Sequence, residues 1–192
     1  MKSLSALPPN YRQIFSVNLQ KDKKAALLVN LIALAIAVIM IVPMHLLQPI
    51  HTLFSMEEGM TAYFLRFAVL LGGSLLYIVL HEAVHGIAMK LCGTKKVRFG
   101  FTGMYAYAGS EDYYSKRPYL FIALAPIVVF GVLLAVLQFF VPASWSWVVY
   151  FIQITNISGG AGDLYVTFKF SRMPSDILVQ DSGVGMTVYS AE

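Results

Sequence analysis

Four long apolar stretches constrain the fold of this chain more than any other feature of its 192 residues. They cover about 25–47, 62–91, 119–141 and 145–168, and each reaches the roughly 20 residues that a helix needs to cross a bilayer. Hydrophobic residues make up 58% of the chain and charged residues 12%, about half of the charged share of a soluble domain. This composition excludes a disordered chain and a nucleic-acid-binding module. It predicts an all-α integral membrane protein with four transmembrane helices and the lipid bilayer as a partner.

A short segment between the second and third spans has a different pattern. Two aromatic-rich runs, Val97–Phe101 and Met104–Ala108, lie on either side of Thr102-Gly103. Such a pattern predicts a small β-hairpin with a tight turn. An edge of this hairpin would be able to pair with an extended peptide.

The remaining segments set the predicted organisation of the chain. Residues 1–24 form a polar cytosolic segment without the apolar run of a cleaved signal peptide. Residues 25–170 form the membrane domain, and 171–192 form a cytosolic tail whose two short runs, 177–180 and 186–189, predict a second hairpin.

Lys and Arg residues occur before the first span, between the second and third spans, and after the fourth. None occurs between the first and second spans or between the third and fourth. Because basic residues are retained on the cytoplasmic side, both termini and the middle loop are predicted to be cytoplasmic. Trp145 and Trp147 are expected to anchor the outer membrane interface.

The motif His81-Glu82-Ala83-Val84-His85 lies near the cytoplasmic end of the second span. Side chains four residues apart share a helix face, so both imidazoles can bind one metal ion. The Glu82 carboxylate lies beside them, where it can accept a proton from a water molecule that the ion activates. Ionisable groups inside a bilayer are costly and usually mark a functional site.

A third ligand is expected, because catalytic zinc usually takes three protein ligands and a water. Cys92 is the only cysteine, which excludes a cysteine-based site. Asp163 is favoured, since Asp163 and His85 lie six and five residues from the lysines that mark the cytoplasmic boundary, and so at similar depth. Glu111, in the cytoplasmic loop, is the alternative. The two other histidines lie near the outer face and are poor candidates.

Asn156, Tyr105 and Tyr107 are weaker candidates. Asn156 lies two helical turns before Asp163, where its amide would either bind a peptide backbone or an oxyanion, or make a contact between helices. Tyr105 and Tyr107 would either line the same cleft from the hairpin or pack at the interface. The sequence leaves both readings open for each residue.

In these residues the chain resembles intramembrane zinc metalloproteases of the site-2 protease type. The resemblance rests on the HEAVH motif, on Ala125-Pro126 in the third span and on the glycine-rich stretch that ends in Asp163. More closely, from about Leu7 to Tyr189, the chain is similar to DUF3267, a zincin peptidase family of small bacterial membrane proteins. The resemblance implies a multi-pass zincin of the bacterial plasma membrane.

These observations predict a membrane-embedded zinc endopeptidase that cuts membrane-associated proteins or peptides near the cytoplasmic face. Zn²⁺ would be held by His81, His85 and Asp163, with Glu82 as the catalytic base. One alternative is a catalytically silent zincin-like scaffold or binding partner. Another is a small transporter or proton-relay protein that uses the same four groups. No oligomeric state is predicted.

Overall fold

The computed structural model describes residues 3–103 and 105–191. The helices are α1 (Lys23–Leu47), α2 (Met60–Leu91), α3 (Lys116–Gln138), α4 (Ala143–Gly159) and α5 (Ala161–Ser171), with a 3₁₀ turn at Ile50–Phe54. The strands are β1 (Tyr11–Val17), β2 (Arg98–Phe101), β3 (Ala106–Gly109), β4 (Tyr113–Ser115), β5 (Leu178–Asp181) and β6 (Met186–Ala191).

Helices α1, α2 and α3 are each long and apolar enough to cross a membrane. A helix satisfies its own backbone hydrogen bonds, as a segment in lipid must. Many large apolar side chains along these helices are exposed in the isolated chain, among them Leu34, Ile39 and Leu75. Apolar surface of this extent suits lipid tails better than water, so the helices support membrane association.

The prediction of an all-α fold is wrong, because the described residues also form two antiparallel sheets. One sheet has four strands in the order β1-β6-β5-β4, and β2 and β3 form the other. Tyr11 lies opposite Ala191 in the pairing of β1 with β6. Because most residues of β1 are exposed, its sequence lacks the apolar–polar alternation that indicates a strand. The strand in the polar N-terminal segment was missed for this reason.

The two predicted hairpins are confirmed. Phe99 lies opposite Ala108 in the β2–β3 pair, and β5 pairs with β6 in the C-terminal segment. Gly103 and Gly183 at the two turns have φ values of 87° and 85°, a left-handed conformation that glycine adopts at no steric cost. Met104, which begins the second predicted run of the first hairpin, lies outside the described residues.

The predicted fourth span is not a continuous helix. It is divided at Gly160 into α4, with 17 residues, and α5, with 11 residues, both shorter than the roughly 20 residues of a spanning helix. A Cβ at Gly160 would lie 2.7 Å from Cδ1 of Ile127, so any larger residue at this position requires the Ile127 side chain to shift. The break places Asp163 in the first turn of α5.

The chain divides into two compact units. The first consists of Met1–Val29, Leu80–Pro126 and Gly162–Glu192, and the second of Asn30–Val79 and Ile127–Ala161. The core of the first unit includes Tyr114, Tyr119, Phe170, Val179 and Val188, all nearly inaccessible to solvent. His81, Glu82, His85 and Asp163 all belong to this first unit.

The second unit has its own core around Leu53, Trp147 and Val148. Trp147 is fully buried there, and its Nε1–H donates to the backbone oxygen of Gln48 at 3.0 Å. The expectation that Trp147 anchors a membrane interface is therefore wrong. The position of Trp147 next to a predicted membrane boundary does not show whether its indole faces the lipid or the protein. Packing in the second unit decides this.

Candidate metal centre

His81 and His85 lie one turn apart on the first-unit part of α2. Their ring centroids are 4.8 Å apart, as expected for side chains at positions i and i+4 of a helix. Both residues are nearly buried. The helix therefore holds two imidazoles side by side in a site with little solvent.

Asp163 brings a carboxylate to the two imidazoles from α5. Its Oδ2 is 3.3 Å from Nε2 of His81, and its Oδ1 is 3.5 Å from Nε2 of His85. Two ligand atoms that each lie about 2.0–2.1 Å from a tetrahedral zinc ion are roughly 3.3 Å apart. Both separations are close to this length, so the Asp163 carboxylate lies at the distance from each imidazole that two zinc ligands would have.

The chemistry of the cluster also suits a divalent metal. One donor atom from each of His81, His85 and Asp163 lies within 4.8 Å of the others. Two imidazoles and one carboxylate form a ligand set that catalytic zinc uses, with a fourth position left for water or substrate. The side chains of His81 and Asp163 keep 11% and 17% of their surface exposed, which leaves the cluster accessible.

The other acidic and histidine candidates lie elsewhere. Oε1 of Glu111, the alternative third ligand, is 2.6 Å from Nη2 of Arg98 in an exposed ion pair. His45 accepts a hydrogen bond at Nδ1 from the backbone N–H of Ile50, and His51 is exposed. None of the three belongs to the cluster of His81, His85 and Asp163.

His85 makes a second contact through its other ring nitrogen. Nδ1 lies 2.9 Å from the backbone oxygen of Ile122 on α3. Because a carbonyl oxygen can only accept, Nδ1 donates its hydrogen, and Nε2 keeps the lone pair that a metal needs. Such partners orient a metal-binding imidazole. Sequence reasoning missed Ile122, since a backbone oxygen is present at every residue.

Glu82 is held by the first hairpin. The backbone N–H of Ala108 on β3 donates a hydrogen bond to the half-buried Glu82 carboxylate. The hairpin also packs on α2 directly after His85, where a Cβ on Gly86 would lie 2.4 Å from Cζ of Phe99. The hairpin therefore both orients the carboxylate and covers the adjacent turn of α2.

Asp181, at the end of β5, is a further acidic residue that the sequence did not single out. Its carboxyl is buried; Oδ2 accepts a hydrogen bond from the Tyr119 hydroxyl at 3.0 Å, and Oδ1 accepts one from the backbone N–H of Gly183 at 2.9 Å. Burial raises the pKa of Asp181 to about 6, and the charges of His85 and Asp163 also act on it. Its only sequence signal is an acidic residue at the end of an apolar run.

Asn156 lies in the second unit, where it is fully buried. Its Oδ1 accepts a hydrogen bond from the Tyr77 hydroxyl at 3.0 Å, and its Nδ2 donates to the backbone oxygen of Ile127 at 3.1 Å. These are contacts between helices, one of the two roles that the sequence left open. A role for Asn156 in substrate binding stays a prediction.

The two hairpin tyrosines differ in their surroundings. The Tyr107 ring packs against the turn between β5 and β6, where a Cβ on Gly183 would lie 2.2 Å from Cδ2 of the ring. Tyr105 is half-buried, and its backbone N–H donates to Oγ1 of Thr102 at 3.3 Å. Packing therefore accounts for Tyr107.

The geometry agrees with a comparison against protein families. Residues 74–178, more than half of the chain, match the family DUF3267, whose printed description is "Putative zincin peptidase". The chain belongs to this family. The match to DUF3267 includes His81, Glu82, His85 and Asp163, and it confirms the family resemblance predicted from the sequence. DUF3267 membership supports peptidase chemistry with zinc.

One curated relative also matches this DUF3267 protein. It is named "Uncharacterized 24.7 kDa protein in gap 5'region", comes from Pyrococcus woesei and is 31% identical over 122 residues. The alignment covers 58% of this chain and 50% of the relative, so the chain spans about half the length of that relative. No solved structure matches the chain.

Proposed function

We propose that this DUF3267 protein is a membrane-embedded zinc endopeptidase that hydrolyses membrane-associated proteins or peptides near the cytoplasmic face. The observation that carries the proposal is the convergence of His81, His85 and Asp163 next to Glu82, on a helix apolar enough to cross a membrane. Zn²⁺ is its cofactor. The family resemblance implies a location in the bacterial plasma membrane, and the placement of Lys and Arg supports both termini in the cytoplasm.

Each residue of the centre has a separate role in the proposed reaction. His81 and His85, through Nε2, and Asp163, through a carboxylate oxygen, would hold the ion. When bound, zinc supplies Lewis-acid chemistry that acidifies water and polarises a peptide carbonyl. Glu82 accepts the proton of the attacking water and returns it to the nitrogen of the leaving amine.

The substrate is proposed to bind in an extended conformation along the first hairpin. Ala108 places β3 directly beside the Glu82 carboxylate, and a strand edge offers backbone groups to an extended peptide. The peptide bonds of a membrane helix are shielded by the helix itself. A helical substrate must therefore unwind locally before its scissile bond reaches the centre.

The test is cleavage of a membrane-tethered reporter by the purified full-length protein. We expect Glu82→Gln to lower the cleavage rate by at least about 100-fold, because a general base contributes that much or more. The zinc content of this variant should remain at the wild-type level, since Glu82 is not a ligand. Asp163→Ala should lose both cleavage and zinc.

Glu111→Gln is the matched control, since it neutralises a carboxylate that lies outside the cluster in an exposed pair with Arg98. It should keep both cleavage and zinc. Equal cleavage by wild type and Glu82→Gln would remove the assigned role of Glu82. A zinc-loaded wild type that cuts no membrane-tethered peptide would instead favour the scaffold function.

A further inference from the structure

Helix α3 lacks one backbone hydrogen bond next to the candidate metal centre, at the carbonyl that contacts His85. In an α-helix each carbonyl oxygen accepts a hydrogen bond from the N–H four residues later. The residue four positions after Ile122 is Pro126, which lies inside α3 and has no N–H. The Ile122 carbonyl therefore lacks its normal helical donor.

Water cannot easily replace that donor. Ile122 has only 1% of its surface exposed, and a buried carbonyl without a partner is costly. The Nδ1–H of His85 lies 2.9 Å from this oxygen.

We propose that Pro126 is a positioning residue for His85. Its missing N–H leaves the Ile122 carbonyl free to bind the Nδ1–H of His85, and that bond holds the imidazole with a hydrogen on Nδ1 and with Nε2 facing Asp163. One hydrogen bond thus gives the Ile122 carbonyl a donor and also fixes the orientation of the imidazole. The inference rests on the proposed function only in treating His85 as a metal ligand.

Pro126→Ala tests the inference, because it restores an N–H at the position where the helix normally supplies one. The new N–H competes with His85 for the Ile122 oxygen. We expect zinc to bind about 10-fold more weakly, the lower end of the usual loss when an outer partner of a metal-binding histidine is removed. Affinity is measured by competition with a chelator of known affinity, and by the absorption of bound Co²⁺.

The tautomer of His85 is a second measurement, and it needs no metal. In metal-free protein labelled with ¹⁵N-histidine, at a pH high enough that each imidazole carries a single hydrogen, nitrogen chemical shifts report which ring nitrogen carries that hydrogen. The His85 signals are identified by their absence from His85→Gln. Wild type should show the Nδ1–H form, and Pro126→Ala should show a mixture of both forms.

Two controls separate the missing N–H from other effects of proline. Pro43→Ala removes the proline inside α1. Pro43 belongs to the second unit, so this change should alter neither metal affinity nor the His85 tautomer. L-lactic acid in place of Pro126 removes the proline ring but still supplies no N–H. It should bind zinc as tightly as wild type does.

Two results would overturn the inference. In the first, Pro126→Ala keeps the wild-type affinity and the wild-type tautomer. In the second, the lactic acid variant binds zinc as weakly as Pro126→Ala, which would assign the effect to the ring. If wild type bound no metal, the proposed function would fail, while the tautomer measurement on Pro126→Ala would still decide the inference.

Discussion

Asp163 places a carboxylate where an unpaired charge would be costly. Each of its oxygens faces one imidazole, at 3.3 Å from His81 and 3.5 Å from His85. Before a metal binds, an imidazole that carries a hydrogen on Nε2 as well as on Nδ1 can donate it to the facing Asp163 oxygen. The same geometry therefore keeps the three side chains in position before the metal arrives.

Asp181 gives a prediction about pH. Burial raises the pKa of its carboxyl from 3.8 to about 6, so the folded state takes up a proton more readily than the unfolded state. Its contribution to stability is therefore greatest below pH 4 and is lost as pH rises to about 6. Asp181→Asn should be more stable than wild type above pH 6, by about 3 kcal/mol at most, and the difference should vanish near pH 4. Thermal unfolding of the metal-free protein in detergent at both pH values measures this.

Asp176→Asn is the control with the opposite sign. Hydrogen bonds from the Ser190 hydroxyl and the Ala191 N–H lower the pKa of the exposed Asp176 carboxyl. This group stabilises the fold above its unfolded pKa, so its replacement should reduce stability at neutral pH. A difference between wild type and Asp181→Asn that is the same at pH 4 and pH 7 would contradict the assignment to Asp181.

At the scale of single elements, breaks in helices have specific causes and consequences. α4 ends at Gly160, where Ile127 occupies the space that a side chain would need, and the next helix begins just before Asp163. Pro126 removes one backbone hydrogen bond of α3, at the Ile122 carbonyl that contacts His85. Both residues interrupt helical hydrogen bonding, one just before Asp163 in the chain and the other at the carbonyl that contacts His85.

The end of β3 gives a prediction about packing. A Cβ on Gly109 would lie 2.4 Å from the carbonyl carbon of Ser182, in the turn between β5 and β6. Because that neighbour is backbone, Gly109→Ala must push the turn away from β3. We expect a loss of about 1–3 kcal/mol in the free energy of unfolding, measured by thermal unfolding in detergent.

Gly72→Ala is the matched control, since no atom lies within 4 Å of its added Cβ. Alanine favours a helix over glycine by about 1 kcal/mol, so this change should leave stability unchanged or raise it. Equal effects of Gly72→Ala and Gly109→Ala would show that the turn does not rest on β3 as described.

At the scale of the whole molecule, the four-stranded sheet joins the two ends of the chain. β6 lies between β1 and β5, so it makes two sets of backbone hydrogen bonds. Asp181 ends the neighbouring strand β5, and its backbone oxygen accepts from the N–H of Ser110 at 2.7 Å, just after β3. The C-terminal hairpin is therefore part of the unit that holds the candidate centre.

Val188→Ala tests whether this sheet stabilises the first unit. Val188 on β6 has no exposed surface, so the smaller side chain leaves a cavity, and we expect a loss of about 2 kcal/mol. Ile14→Ala on β1 is the control, since Ile14 is 50% exposed and should change stability much less. Similar losses for the two variants, measured by thermal unfolding, would show that Val188 does not lie in a core.

The sequence alone determined three of the apolar helices and the HEAVH motif, because membrane burial and helical spacing act on residues close together in the chain. It also indicated Asp163 and both hairpins from local pattern. Only the tertiary structure decided the distance from Asp163 to the imidazoles, the contact of His85 with Ile122, the burial of Asp181 and Trp147, and the pairing of β1 with β6. These features join residues distant in sequence, several of them through backbone atoms, so the identity of the residues carries little information about them.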